Sequence, residues 1–259
     1  MTDTPTIPAD NSTARAGAAA NIHSTPAALG VSSTPDRQLL QEIQVSLAMA
    51  ARLIQIEPDT QWLAQAQDQA LFDEAPFGED NAFVQTGLAQ MREYLSDLTP
   101  ETLEEAEGDL KREWLRLFVG LGTPQAPVWE SFYTKANSPI FSQATLEVRA
   151  VYRSYGLALD KQGSEPDDSL GIMLGFLSHV AGLAAQHPEP KAHLEVMDGF
   201  LTGHILPWLP AWHYEMGKHA STGYFQGVGN LVFGTVCALA EAFGITYHDK
   251  ERRFVRRRG

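Results

Sequence analysis

The sequence predicts an all-α protein, a single helical-bundle domain of about eight or nine helices. Three observations predict it. Apolar residues recur at alternating spacings of three and four along most of the chain, which is the signature of one buried helix face. Prolines such as Pro58, Pro100, Pro188 and Pro190, and glycines such as Gly120, Gly156 and Gly163, punctuate these stripes. No stretch shows sustained apolar/polar alternation between turn dipeptides, so strands have no support.

The elements run in order. Residues 1–35 contain no Phe, Trp or Tyr and are rich in Thr, Ala, Pro and Ser. Such a segment cannot bury enough apolar area to offset its ordering entropy, so it reads as a disordered N-terminal tail. Thr34-Pro35-Asp36 looks like a cap with proline at the first helical position. Leu40, Ile43, Leu47, Ala50 and Ile54 then mark the first helix. A second is expected from Pro58, carrying Trp62, Leu63, Ala66 and Leu71, and a third along Val84, Leu88, Met91, Leu95 and Leu98. Thr99-Pro100 reads as another cap-plus-proline start, followed by Leu103, Ala106, Leu110, Trp114 and Leu117. Two glycines and two prolines interrupt the pattern between Gly120 and Ser131. It resumes at Leu146, Arg149, Tyr152 and Tyr155, with Gly156 as C-cap. Leu170, Leu174, Leu177, Ala181 and Ala184 mark the next helix, ended by Pro188 and Pro190. Further helices are expected at about 191–203, 208–221 and 224–243. The helical domain thus spans 36–245, and 246–259 reads as a basic C-terminal tail.

Composition narrows the function. The 259 residues are 44% hydrophobic and 20% charged, so the chain can build a core. Thirty-two acids against 19 bases give a net charge of −13. That argues against nucleic-acid binding, which needs cations to replace the counterions around phosphates. The charge is uneven: six acids and no base lie between Asp97 and Asp109, while the C-terminus holds Arg252, Arg253, Arg256, Arg257 and Arg258. Both read first as solvated surface. The single cysteine, Cys237, excludes an internal disulfide and reads as a buried thiol. Ser221–Ala240 is low in charge but is broken by glycines and Asn230, so direct membrane insertion is not expected. With no secretory leader at the N-terminus, the expected location is the cytoplasm.

Catalytic templates fail. Gly217-Lys218 is followed by His219 and lacks the upstream glycine of a phosphate-binding loop. No Glu has a His three residues later, as a carboxylate-bridged di-metal bundle requires. Glu189/His193 and Glu215/His219 are i, i+4 pairs such as ordinary helix surfaces produce. Gly-x-Ser-x-Gly is absent. The sequence reads as neither an enzyme nor a metal or cofactor protein.

Two segments carry more information. Trp114-Leu115-Arg116-Leu117-Phe118-Val119-Gly120 runs into Pro124-Gln125-Ala126-Pro127-Val128-Trp129-Glu130-Ser131-Phe132-Tyr133. Proline stiffens such a loop and holds aromatic faces in place at low entropic cost. This is either a loop packed on the core or a preformed aromatic groove. Gly163-Ser164-Glu165-Pro166-Asp167-Asp168-Ser169-Leu170 is either a capping box, Ser164 with Asp167, or three carboxylates offered to a cationic ligand at a helix start.

Together these segments resemble the TorD/DmsD/NarJ family of redox-enzyme maturation chaperones, and the TorD/DmsD branch more closely. The shared pattern is Leu117-Phe118, then Pro127-x-Trp129-Glu130-Ser131-x-Tyr133, then Ser142-x-x-Thr145-Leu146-x-x-x-Arg149-x-x-Tyr152-x-x-x-Gly156, Glu165-Pro166-x-Asp168 and His204-Ile205-Leu206-Pro207-Trp208. It covers roughly residues 36–245. Ser169 stands where the family commonly has His, and Ser142 where it often has Gly. The resemblance implies a cytoplasmic, non-catalytic chaperone without a cofactor of its own. It would bind the twin-arginine signal peptide and body of a molybdopterin-dependent oxidoreductase subunit and delay export until the cofactor is inserted. The twin-arginine translocase is a further candidate partner. Peptide-binding positions implied here are Trp114, Leu117, Phe118, Pro127, Trp129, Glu130, Ser131, Tyr133, Glu165, Pro166, Asp167, Asp168 and Ser169, with the acids expected to meet the peptide's arginines. The alternative, motivated by Ser169, is an interaction module that binds another apolar helix and has lost signal-peptide recognition.

Overall fold

The computed structural model describes residues 36–120, 122–134, 143–158 and 166–257. Among them are ten α-helical segments: α1 (Arg37–Gln55), α2 (Thr60–Asp68), α3 (Ala82–Ser96), α4 (Leu103–Trp114), α5 (Glu130–Thr134), α6 (Gln143–Ser154), α7 (Leu170–Gln186), α8 (Lys191–Phe200), α9 (Leu209–His219) and α10 (Gly223–Ala242). Short π-helical turns, Leu115–Val119 and Leu201–Ile205, extend α4 and α8. The all-α bundle expected from the apolar stripes is what forms. α1 lies along α7, and α3 lies along α10.

Local chemistry sets the helix starts. Asp36 caps α1 by accepting from Gln38 N at 3.1 Å; Thr34 and Pro35 lie outside the described residues. α2 begins at Thr60, two residues later than Pro58 suggested, because Asp59 accepts from Trp62 N at 2.7 Å. Thr99-Pro100 does not start α4 either. Thr102 Oγ1 accepts from Thr99 N and donates to Thr99 O, which closes a separate turn, and the helix starts at Leu103. Gly156 ends α6 with a positive φ of 71°, as its C-cap role requires.

The glycines that interrupt the apolar run in α10 have a packing role. A Cβ on Gly87 of α3 would lie 2.5 Å from Leu231 N and 2.8 Å from Gly227 O. One on Gly234 would lie 2.5 Å from Val84 N. α3 and α10 therefore touch backbone to backbone. α10 is buried on most sides, including Phe225, Val228, Val232, Phe233 and Val236.

The C-terminal segment departs from the sequence reading. Residues 246–257 are not a frayed basic tail. Ile245–His248 (β1) pairs antiparallel with Arg253–Arg256 (β2), with Tyr247 opposite Phe254. Gly244, with φ of 73°, turns the chain out of α10 into β1. Tyr247 packs edge-on to Phe233 with ring centroids 4.9 Å apart, so the hairpin is docked on the core. Four-residue strands are too short to show a sustained period of two, so the sequence pattern does not reveal them.

The seam generates a paired prediction. Gly87→Ala should cost about 1–3 kcal/mol, because backbone cannot yield to an added methyl as a side chain can. Gly217→Ala, in α9 with nothing within 4 Å of the new methyl, should gain about 0.5–1 kcal/mol from helix propensity. Urea denaturation of the two variants measures both.

Candidate functional site

The aromatic helix α4 ends in a π-turn because Gly120 N donates to Leu115 O, five residues back, at 2.5 Å. Gly120 has φ of 70°, and a Cβ there would meet Gly122 O at 2.9 Å, so the turn needs glycine. The wider turn leaves carbonyls free. Arg116 O and Leu117 O accept from Gln125 N (3.1 Å) and Ala126 N (2.8 Å), which folds the proline loop back onto the helix end. Arg116 itself donates to Gln125 Oε1 at 2.6 Å and to His219 O at 3.1 Å.

The same helix end is fixed to α10. The buried Glu113 carboxylate accepts from Ser221 N (2.5 Å), Ser221 Oγ (3.0 Å) and Thr222 N (3.2 Å). A carboxylate from α4 thus holds the backbone amides of Ser221 and of the N-cap residue Thr222, about 108 residues away in sequence, and its negative charge suits the start of α10.

Beyond the loop, residues 128–130 lie beside 168–170 as an antiparallel bridge centred on Trp129 and Ser169. Leu170 N donates to Val128 O at 2.7 Å, and Glu130 N to Asp168 O at 3.1 Å. Asp168, 0% exposed, completes the junction. Its Oδ2 accepts from Ser131 N at 2.8 Å and its Oδ1 from Thr145 Oγ1 at 2.9 Å. Asp167, 4% exposed, accepts from Arg149 Nε (3.1 Å) and Nη2 (2.5 Å), while Tyr152 OH donates to its main-chain carbonyl at 3.0 Å. The ion pair raises the Arg149 pKa, and burial raises that of Tyr152 well above its ordinary value.

On the other side of α5, His204 Nδ1 lies 3.1 Å from Glu130 Oε2. Burial pushes the Glu130 carboxyl up from its ordinary value, and the hydrogen bond to His204 opposes this only in part. His204 O accepts from Trp208 Nε1 at 2.5 Å, and Tyr133 stacks on the Trp208 ring with centroids 5.1 Å apart. Trp129 Nε1, Tyr133 OH and Ser169 Oγ are buried polar atoms with no hydrogen-bond partner among the described residues.

The structure places the described sequence-predicted residues in two groups: Trp114 and Phe118 pack together toward Phe225, and Trp129–Ser131 lie against Asp168 and Ser169. Leu117, Phe118, Pro127, Glu130, Ser131, Pro166, Asp167, Asp168 and Ser169 are buried, while Trp114, Trp129 and Tyr133 are partly buried. Phe118 packs inward on Phe225, with centroids 5.9 Å apart. Asp167 and Asp168 already hold interior partners, so they do not present free carboxylates to a cation. They position the loop instead. The alternative reading of a capping box between Ser164 and Asp167 lies outside the described residues, as does Glu165; Ser169, the residue preceding α7, makes no side-chain cap bond. The exposed apolar groups are neighbours outside the motif: Leu115 (46%), Val119 (45%) and Phe132 (48%). Their signal in the sequence is the pair Leu115/Val119, one turn apart on the face opposite Leu110, Leu117 and Phe118.

Residues 78–213 match the family model of the nitrate reductase delta subunit. The chain belongs to this family of redox-enzyme maturation chaperones. Over 126 residues this family member is 31% identical to the Tat proofreading chaperone DmsD of Salmonella typhi, covering 49% of this chain and 58% of the relative. It is 30% identical over 118 residues to a perchlorate reductase assembly chaperone protein of Dechloromonas aromatica, covering 44% and 51%. It is 24% identical over 137 residues to the chaperone protein TorD of Vibrio cholerae, covering 51% and 61%. The matches thus span little more than half the length of these relatives. These relatives are chaperones by name.

The junction yields two expected outcomes. Asp168→Ala leaves Ser131 N–H and the Thr145 hydroxyl unpaired in the interior, and should cost about 2–4 kcal/mol in urea unfolding. Glu130 has the opposite sign from an ordinary salt-bridged acid. Its folded pKa is raised, so the folded state holds the extra proton and stability falls as pH climbs above the ordinary carboxylate range. Glu130→Gln should flatten that slope in urea midpoints measured from pH 4.5 upward.

Proposed function

We propose that this protein is a cytoplasmic, non-catalytic chaperone that binds the twin-arginine signal peptide of a molybdoenzyme catalytic subunit. It assists cofactor insertion and delays export until folding is complete. The observation that carries the reading is the exposure of the apolar side chains Leu115 and Val119 on the π-turn and Phe132 on α5, inside the family-matched region. The names of its relatives, a Tat proofreading chaperone among them, point the same way. Among the described residues no helix is long and apolar enough to cross a membrane.

A twin-arginine peptide joins a cationic head to an apolar segment that can become helical. The apolar segment docks on Leu115, Val119 and Phe132, with Trp114 and Trp129 as partly buried walls, as an amphipathic helix lies in a groove. A micromolar complex needs about −8 kcal/mol. Burying on the order of 600 Å² of apolar surface gives about 15 kcal/mol gross at about 25 cal/mol per Å², and ordering and association costs remove about half. Apolar contact sets the affinity. The protein's net charge of −13 draws the cationic head in from a distance.

The double variant Leu115→Ser/Val119→Ser should weaken binding of a synthetic twin-arginine signal peptide by about tenfold or more, a loss of roughly 1.4 kcal/mol. Its melting temperature should stay close to that of the parent, since both side chains are exposed. Calorimetry with the variant at unchanged affinity would remove this surface from the mechanism. Co-purification of a molybdoenzyme precursor with the intact chain tests the client.

A further inference from the structure

The C-terminal hairpin carries a second feature, unrelated to the peptide surface. A cavity of about 280 Å³ lies between the hairpin and the segment that links α8 to α9. Arg252, Arg253 and Arg256 line it beside an apolar wall of Leu206, Ile245 and Phe254. No acidic side chain lines it among the described residues.

These arginines are only partly engaged. Glu251 takes Arg253 through Nε alone, at 2.5 Å. Asp198 takes Nη2 of Arg256 at 2.6 Å, and the Phe243 carbonyl takes its Nη1 at 3.1 Å. Arg252 makes no ion pair among the described residues; its guanidinium carbon sits 4.4 Å from the centre of the Tyr214 ring. Arg252 also has φ of 48° and ψ of 44°, the left-handed conformation that a turn ordinarily assigns to glycine or asparagine. Backbone preference alone does not select arginine there. Such strain marks positions where the side chain has another task.

We propose that this cavity binds the phosphate or diphosphate group of a small phosphorylated molecule. Guanidinium forks match phosphate oxygens two at a time. The Tyr214 face holds the Arg252 fork in place before the ligand arrives. The cavity's volume of about 280 Å³ falls just below the usual range of small-ligand pockets, about 300–1,000 Å³, and suits a compact anion. The apolar wall receives the organic part. Elsewhere the chain is acidic, so these arginines form a local positive centre on a negative body.

The test is calorimetric titration of the full chain with inorganic pyrophosphate at low ionic strength. Two parallel arms use a hepta-glutamate peptide and phosphatidylcholine vesicles containing phosphatidic acid. Saturable 1:1 binding of pyrophosphate is expected, with neither other arm binding more tightly. Arg252→Gly should weaken it by about tenfold or more, because the fork is gone while the turn gains its preferred residue. The melting temperature of that variant should hold or rise. Arg253→Gln, at an exposed position, should weaken binding as well. The site is refuted by an absence of saturable pyrophosphate binding, by Arg252→Gly and Arg253→Gln binding as the parent does, or by tighter binding of the peptide or the vesicles. The signal-peptide titration is run on the same variants, so loss of one activity is read separately from loss of the other.

Discussion

A carboxylate taken out of water must be fully paired, and that constraint organises the centre of this molecule. Asp167 and Asp168 sit side by side at the start of α7, both buried. Desolvating a single charge costs several kcal/mol unless hydrogen bonds replace its water. Asp168 can be buried only if α5 offers the Ser131 amide and α6 offers the Thr145 hydroxyl. Asp167 can be buried only if α6 offers Arg149. The two acids therefore fix α5, α6 and α7 in one mutual arrangement, and the Trp129–Ser169 bridge is its backbone expression. Glu113 applies the same constraint between α4 and the start of α10.

The two π-turns serve this arrangement. Each closes with an i to i+5 hydrogen bond, Gly120 N to Leu115 O and Leu206 N to Leu201 O. In each, a carbonyl of the turn anchors the next segment of chain: Arg116 O and Leu117 O hold the proline loop, and His204 O holds the Trp208 indole. The loop leads into α5, and His204 meets Glu130 at the start of α5 from the other side. A five-residue helix, far too short to be stable alone, is thereby gripped at both flanks. Its exposed Phe132 is presented by structure it does not itself supply.

Much of this is legible in the residues, and the limits are physical. Long amphipathic helices such as α1, α3 and α7 announce themselves, because one buried stripe determines the spacing of many residues. Of the motif residues, the structure joins Trp129 and Ser131 to Thr145, Asp168 and Ser169. Their orientation is not legible. An acid that pairs with a solvent cation and one that pairs with an interior arginine look alike in sequence, because the difference lies in the partner 18 residues away. Glu113 holding the Ser221 and Thr222 amides is a contact of the same kind over a longer span. The hairpin stays hidden because its strands are four residues long and its arginines suggest solvent, whereas Tyr247 and Phe254 fix it to Phe233.

The burial of the two aspartates changes how charge can contribute to the proposed recognition. An arginine that reached Asp167 would have to displace Arg149, exchanging one guanidinium for another with little net gain and a transient unpaired charge in the interior. Contact pairing with these acids is therefore an inefficient source of affinity. The long-range field of a body with 32 acids and 19 bases has no such cost. It acts before contact, accelerates encounter with a cationic leader and is screened by salt. Apolar burial on Leu115, Val119 and Phe132 acts after contact and is insensitive to salt on that scale. In the proposed recognition, charge would govern how often the peptide arrives, and the aliphatic and aromatic surface how long it stays.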